Sequence, residues 1–420
     1  MARGTLAAVA LGFAGIAAAQ APEEAARRFA LAYVAYAPGS SVDVRVDARG
    51  TTPAGPYLVA TALRSSLRGG EPEQLSLLID QQTRQVTVGV PIPLPPTNPP
   101  LNAATLPGFV ETMLPQMLSG AMGSRVRMRW PSTPARPTAV VTLAAEIATG
   151  YGWIRLPAAI TMDGKQFMLG ATWPLDRDPR AVRRDILRDA PVRWDPGRES
   201  AVVQLVEFSD FQCPACKHHW TTVKEVLRNA GPSVRHGMIN YPLTQSHPWA
   251  FAAAVAGECI GRAWPERFLG VKEEFYRLQD SISVETVKDV ALAFLNQQAL
   301  PEKPFADCFM KDAVVDQVLR QIEVAQRIGV VGTPTYFANG EILAAGNKDW
   351  MEKRLQAIIA AKGLPENAAE IRLDPTPAAG SASPTPSRVV HRTPPLPSRT
   401  RRPAATSPTP AGADPGSAPR

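Results

Sequence analysis

The stretch 201–219, AVVQLVEFSDFQCPACKHH, constrains the fold more than any other part of the chain. An apolar run from Val202 to Phe208 leads into Cys213-Pro-Ala-Cys216, and helix-forming residues follow. That order reads as strand, tight connection and helix, with two thiols on the first helical turn. A Cys-x-x-Cys spacing brings the sulfurs close enough to close a small disulfide. A helix N-terminus carries about half a positive charge and unpaired N–H groups, so it stabilises a thiolate on the first cysteine. Cys213, expected to be exposed at the end of its strand, is the candidate nucleophile. Cys216, one turn on and more buried, is the candidate resolving thiol. Pro214 and Ala215 bring no charge, so backbone and helix must supply much of the thiolate stabilisation. The competing reading is half a zinc site, which needs four ligands. No second Cys-x-x-Cys exists, although His218 or His219 could make up the number.

Other residues gather around this pair. Glu207 stands six positions before Cys213 inside the apolar run. Alternation places it on one face with Val203 and Leu205. A carboxyl buried there has a raised pKa and could move protons to or from Cys216; a surface glutamate at the strand end is the alternative. Thr333-Pro334 lies between Gly332 and a strand at 335–337, a position where proline is tolerated. His218 and His219 either add positive potential near Cys213 or are partly exposed helix residues. His247, before Pro248, opens a helical stretch and carries no catalytic expectation. All four cysteines fall between 213 and 308, and an even number in an exported chain favours disulfides. Cys259 and Cys308 are the second pair. If they bond, closing the loop disfavours the unfolded chain by about 4 kcal/mol. A second redox relay is the alternative.

The 420 residues allow about two domains plus tails. An apolar content of 45% supports a packed core, but 42 prolines are too many for one compact fold. They cluster at 91–107 and 374–419, which marks irregular chain. A net charge of +7 without a basic face interleaved with aromatics argues against nucleic acid as a partner. Arg3, the apolar run Leu6–Ile16 and Ala17-Ala18-Ala19 read as a signal peptide over 1–19, cut at about Ala19. It implies a periplasmic or secreted chain in an oxidising compartment. An anchor helix is the alternative, but the run is short for a ~20-residue span.

Residues 22–190 read as an α+β domain. Helical spacing over 22–36 precedes period-2 segments at 41–50, 57–63, 75–79 and 85–90. A proline-rich loop follows, then a helix over 108–122 that Pro115 should kink or interrupt. Four more strands are expected in 125–173, and a short helix or linker at 181–190. Arg84–Gly89 and Lys165–Gly170 share a pattern, either a weak internal repeat or the chance likeness of two amphipathic strands. This domain has no cysteine and no histidine, so no chemistry is expected in it. Dimerisation, substrate contact or positioning of the second domain are its candidate roles. Residues 191–200 read as a connector. Beyond it the order is strand, helix to about Arg228, strand 234–243, helices at 248–262, 264–279, 283–297 and 304–328, then two strands turning at Asn339-Gly340. A closing helix spans 347–363 with Gly363 as its stop signal. The tail, 372–420, is too rich in Pro, Ala, Ser, Thr and Arg to offset chain entropy and reads as disordered.

Glu207-Phe-Ser-Asp-Phe-Gln-Cys-Pro-Ala-Cys216, followed by Val331-Gly-Thr-Pro-Thr-Tyr-Phe337, resembles the DsbA-type thiol–disulfide oxidoreductases over about 197–365. The resemblance implies an α/β thioredoxin-like fold with a helical insertion, here preceded by the α+β domain and followed by the disordered tail. It implies attack at Cys213, resolution by Cys216, an acidic residue beneath them at Glu207, and a cis-proline at Pro334 facing the disulfide. Cys259 and Cys308 are placed like a structural pair in some relatives. Pro-Ala in place of Pro-His, and Thr333 in place of valine, depart from the best-known oxidase pattern and leave the direction of electron flow open. The implied partners are cysteine-containing substrate proteins and a separate redox partner. The cysteines carry the covalent chemistry, so no cofactor or metal is called for. A dimeric isomerase or reductase using 22–190 as a homodimer module is one alternative. A non-catalytic exported binding protein is the other.

Overall fold

Alternating apolar residues in the first half of the chain become two four-stranded meanders, each preceded by a helix. The computed structural model describes residues 22–34, 41–65, 72–131, 137–343 and 347–362. The expected signal peptide, Gly363 and the tail lie outside the described residues. Helix α1 (Pro22–Tyr33) leads into β1 (Ser41–Thr52), β2 (Gly55–Ser65), β3 (Glu73–Asp80) and β4 (Gln85–Pro91). Helices α2 (Leu106–Gly108) and α3 (Leu114–Met122) lead into β5 (Val126–Met128), β6 (Val140–Thr149), β7 (Gly152–Thr161) and β8 (Phe167–Pro174). The eight strands form one antiparallel sheet in the order β1-β2-β3-β4-β8-β7-β6-β5.

The two halves join where β4 meets β8, and Gly89 sits directly opposite Gly170. A Cβ on Gly89 would come within 2.0 Å of the Leu169 carbonyl, and one on Gly170 within 2.0 Å of the Val88 carbonyl. The glycines shared by the two similar segments therefore mark a close backbone approach. The matched topology favours repetition over chance likeness. The α-helical run is interrupted just before Pro115, as expected, and Pro115 stands in the first turn of α3. A π turn, Phe109–Met113, joins α2 to α3, with the Leu114 N–H bonded to the Phe109 carbonyl. The changed hydrogen-bond spacing absorbs the N–H that Pro115 lacks.

Helix α4 (Pro179–Arg188) starts where Asp178 caps it, its carboxylate accepting from the Arg180 N–H at 2.9 Å. The second sheet holds β9 (Arg193–Trp194), β10 (Val203–Ser209), β11 (Val234–Asn240), β12 (Thr335–Ala338) and β13 (Glu341–Leu343), ordered β13-β12-β10-β11-β9. Helix α5 (Pro214–Ala230) links β10 to its parallel neighbour β11. The insertion comprises α6 (Ala250–Ala263), α7 (Phe268–Arg277), α8 (Val287–Gln297), α9 (Lys303–Cys308) and α10 (Asp312–Arg327), and α11 (Lys348–Ala360) follows β13. Two expectations need correction. The connector 191–200 is partly structured, because Arg193 and Trp194 pair with Met238 and Gly237 as an edge strand. The helix expected over 304–328 is two helices, because Met310 adopts φ 59° and turns the chain between α9 and α10. The Asn339-Gly340 turn holds both residues at positive φ, 49° and 90°, as a two-residue hairpin requires.

Candidate active site

The middle position of β10 buries every residue from Leu205 to Ser209, and Glu207 among them is 0% exposed. An ionised carboxylate in such a place needs compensation. Lys272 of α7 donates to Glu207 Oε2 at 2.7 Å, and His236 of β11 reaches the same oxygen through Nε2 at 3.0 Å. The other nitrogen of His236, Nδ1, meets Asp195 at 3.0 Å. Glu207 Oε1 has no hydrogen-bond partner among the described residues. Burial by itself would raise the Glu207 pKa; the Lys272 and His236 charges outweigh it and hold the carboxyl down to about 2. The expectation of a buried residue stands, but that of a raised pKa does not. A second and a third charge, brought from elsewhere in the fold, reverse the effect of desolvation.

Cys213 caps α5 and Cys216 lies on its first turn, both as free thiols. Cys213 is 5% exposed, more covered than its place at a strand end suggests. The segment before β12 folds over it and brings the Thr333 carbonyl to 3.5 Å from Cys213 Sγ. The Thr333–Pro334 bond is cis. Hydrogen bonding from the Cys216 thiol is the largest influence on Cys213 and lowers its pKa. Burial opposes this, while the Thr333 side chain and the Cys216 N–H add to it, and the thiol settles at about 6. The Thr333 hydroxyl is buried and, among the described residues, meets no hydrogen-bonding group besides Cys213, so it is available to the Cys213 thiolate. Cys216 is pushed well above the ordinary thiol range by burial first, then by Cys213 and by the Glu207 charge. Two thiols with opposed proton affinities on one helical turn are suited to nucleophilic attack by one and resolution by the other.

Several flanking groups escaped the sequence reading. Asp210, three residues before Cys213, accepts from Gln212 N–H at 2.7 Å, from Leu243 N–H at 2.9 Å and from His247 Nδ1 at 2.7 Å. His247 thus does more than open the insertion: the Asp210 bond raises its pKa and holds the ring beside the dithiol loop. Gln279 donates to the Phe211 and Cys213 carbonyls, at 2.9 and 3.2 Å, and steadies the turn between strand and helix. His218 is exposed, and burial lowers the pKa of the half-buried His219. The one signal available in the sequence was chemical: a glutamate inside an apolar strand demands countercharges, though it does not say which.

Cys259 and Cys308 form a disulfide that ties α6 to α9 across 49 residues. Replacing both by serine is expected to lower the unfolding free energy by about 4 kcal/mol, from the loop entropy restored to the unfolded chain. Denaturant titration of the two proteins, with Cys213 and Cys216 in the same redox state, measures it. Among the described residues, no group of three or more His, Cys, Asp or Glu side chains is placed to hold a metal.

A strand, a dithiol helix start and a loop facing it define a thioredoxin-fold protein with a redox-capable pair. Residues 193–361 match the thioredoxin family. The probable disulfide bond formation protein D of Bacillus cereus is 30% identical over 167 residues, which cover 38% of this chain and 75% of that protein. Its counterpart in Bacillus anthracis is 30% identical over 154 residues, 35% of this chain and 69% of that one. Among solved structures, the thiol-disulfide exchange protein alpha-DsbA2 from Wolbachia pipientis aligns with a TM-score of 0.38 and 16% identity, over 43% of this chain and 94% of that one. The chain belongs to the DsbA-type, thioredoxin-fold thiol–disulfide oxidoreductases.

Proposed function

We propose that this protein is an exported oxidoreductase that exchanges disulfides with cysteine-containing substrate proteins through Cys213 and Cys216. The observation that carries the reading is the opposed tuning of the two thiols. A substrate thiolate attacks Cys213 Sγ of the Cys213–Cys216 disulfide. The new bond joins substrate to Cys213, and Cys216 leaves as a thiolate. Its high proton affinity makes it take up a proton at once, which keeps it from attacking back. A second substrate thiolate then attacks the substrate sulfur of the mixed disulfide, and Cys213 leaves with the bonding pair as a stabilised thiolate. Two electrons have passed from substrate to the cysteine pair. A separate redox partner restores the disulfide. Glu207 serves here by its fixed negative charge, which helps keep Cys216 protonated, and not by storing a proton. Thr333 and Pro334 form the wall that an extended substrate meets at Cys213. Because a low-pKa thiol is a good leaving group, the pair favours the oxidising direction.

The pH dependence of Cys213 alkylation tests this reading. Its pKa is depressed, so the thiolate is present above about pH 6 and is lost as pH falls through that value. The rate of reaction of the reduced protein with iodoacetamide should therefore reach half its plateau near pH 6. A midpoint near the ordinary thiol value of about 8.5, or a pair that dithiothreitol and glutathione leave untouched, would sink the enzymatic reading and favour a static binding fold.

A further inference from the structure

Arg183 of α4 is 0% exposed and stands where the eight-stranded domain meets the redox domain. Its Nη2 donates to the Tyr33 carbonyl at 2.8 Å, at the end of α1. Its Nε donates to the Ile328 carbonyl at 3.3 Å. The guanidinium lies over the rings of Tyr33 at 4.5 Å, of Trp173 at 5.4 Å and of Phe337 at 5.4 Å, measured to the ring centroids. Ile328 and Phe337 are the two ends of the segment that carries Thr333 and Pro334. Arg183 therefore grips that segment on both sides, while its other contacts are in the N-terminal domain. Tyr33 adds a second hold. A Cβ on Gly329 would come within 2.0 Å of the Tyr33 hydroxyl, so the tyrosine presses on the chain only four residues before Thr333. Phe337 in turn meets Phe208 edge-to-face at 5.6 Å, which connects the joint to the strand that bears Glu207.

We propose that Arg183 and Tyr33 are positioning residues for the redox site: through them the N-terminal domain sets where the Thr333 segment sits against Cys213. The role this assigns to residues 22–190 is to shape the dithiol environment within the same chain. The reasoning is mechanical. A buried cation with two carbonyl acceptors and three aromatic faces has one comfortable position, and packed interiors pass small displacements on instead of absorbing them. Thr333, which meets Cys213, lies on the short segment between the Ile328 and Phe337 contacts of that cation. Loosening the grip lets the segment withdraw from Cys213, takes the Thr333 hydroxyl, the donor on that segment, away from the thiolate and lowers the thiolate fraction. The inference rests on the proposed reactivity of Cys213, and the wild-type alkylation profile tests that separately.

The experiment compares the full-length wild-type protein with Arg183→Met and Tyr33→Phe. Each is read by the pH profile of Cys213 alkylation, by redox equilibrium with glutathione, and by a denaturant titration on the same sample. Arg183→Met should move the alkylation midpoint to higher pH and slow the reaction at pH 6 by about three-fold or more, the scale of coupling through packed contacts. The glutathione equilibrium should shift toward the disulfide by a similar factor. Tyr33→Phe keeps the ring beneath the guanidinium and removes only the hydroxyl at Gly329, so it should shift both readouts the same way and by less. If Arg183→Met does not fold, Tyr33→Phe decides. Folded variants that lose stability but keep the wild-type midpoint and equilibrium would overturn the proposal, since the joint would then be structural only. An inert pair in the wild-type protein would instead defeat the functional reading beneath it.

Discussion

Cys213→Ser is expected to cut disulfide exchange by at least about a thousand-fold, as removal of a covalent nucleophile does. A serine hydroxyl at this helix start is not ionised anywhere near neutral pH, so the hydrogen bonds that stabilise the Cys213 thiolate have no anion to act on. Cys216→Ser should fail differently. It keeps the attacking sulfur and loses the resolving one, so covalent adducts with substrate accumulate at Cys213. Non-reducing electrophoresis after mixing with an unfolded protein that carries disulfides distinguishes the two, since the Cys213 thiolate attacks a substrate disulfide, one substrate sulfur leaves as a thiolate, and without Cys216 the mixed disulfide persists. Adducts on Cys213→Ser but none on Cys216→Ser would reverse the assignment of roles.

Lys272→Met should be the most destabilising single change in the redox domain. Lys272 and Glu207 are both fully buried and form an ion pair at 2.7 Å, and Lys272 also lies over the Trp220 ring at 3.6 Å. Removing the cation leaves Glu207 charged in the interior with only His236 beside it, a loss of about 3–5 kcal/mol. The double variant Glu207→Leu, Lys272→Met should recover most of that loss, because neither charge then has to be desolvated. The pH dependence carries a sign. The folded Glu207 pKa is depressed, so its contribution is present above the unfolded value of about 4.3 and is lost as pH falls through about 2. His236 is raised despite its burial, by Asp195 and Glu207, so its contribution is present below the unfolded value of about 6.5 and fades as pH rises through the folded one. Between roughly pH 4.3 and 6.5 both act together. In Lys272→Met the loss on the acid side should begin at higher pH, because Glu207 is no longer held so low. Unfolding free energies measured from pH 3 to 8 on both proteins check it. An unchanged acid limb would show that Lys272 does not set the Glu207 charge.

The element order of the redox domain was legible because it is written in contiguous residues. The apolar run before Cys213, the Asn339-Gly340 turn and the alternating strands of the first domain each act over a few positions. Backbone preference and the period of burial are local properties of that kind. The misread boundaries have local causes as well. Met310 divided one expected helix, and Arg193 and Trp194 pair as an edge strand inside the expected connector.

By itself the sequence determined that two thiols sit at a helix start after a buried strand, and that a glutamate lies inside that strand. It could not determine what the glutamate meets. Lys272 is 65 residues away along the chain and His236 is 29, and only packing brings them to one oxygen. Those partners turned an expected proton carrier into a fixed negative charge. The same limit applied to Cys213, which reads as exposed in the sequence and is covered by a segment 120 residues downstream. It applied equally to Arg183, whose partners come from both domains. Local periodicity specifies which face of an element is buried. Which charges and rings meet there is decided only when distant elements pack, because the cost of burying a charge depends on neighbours that no short window contains.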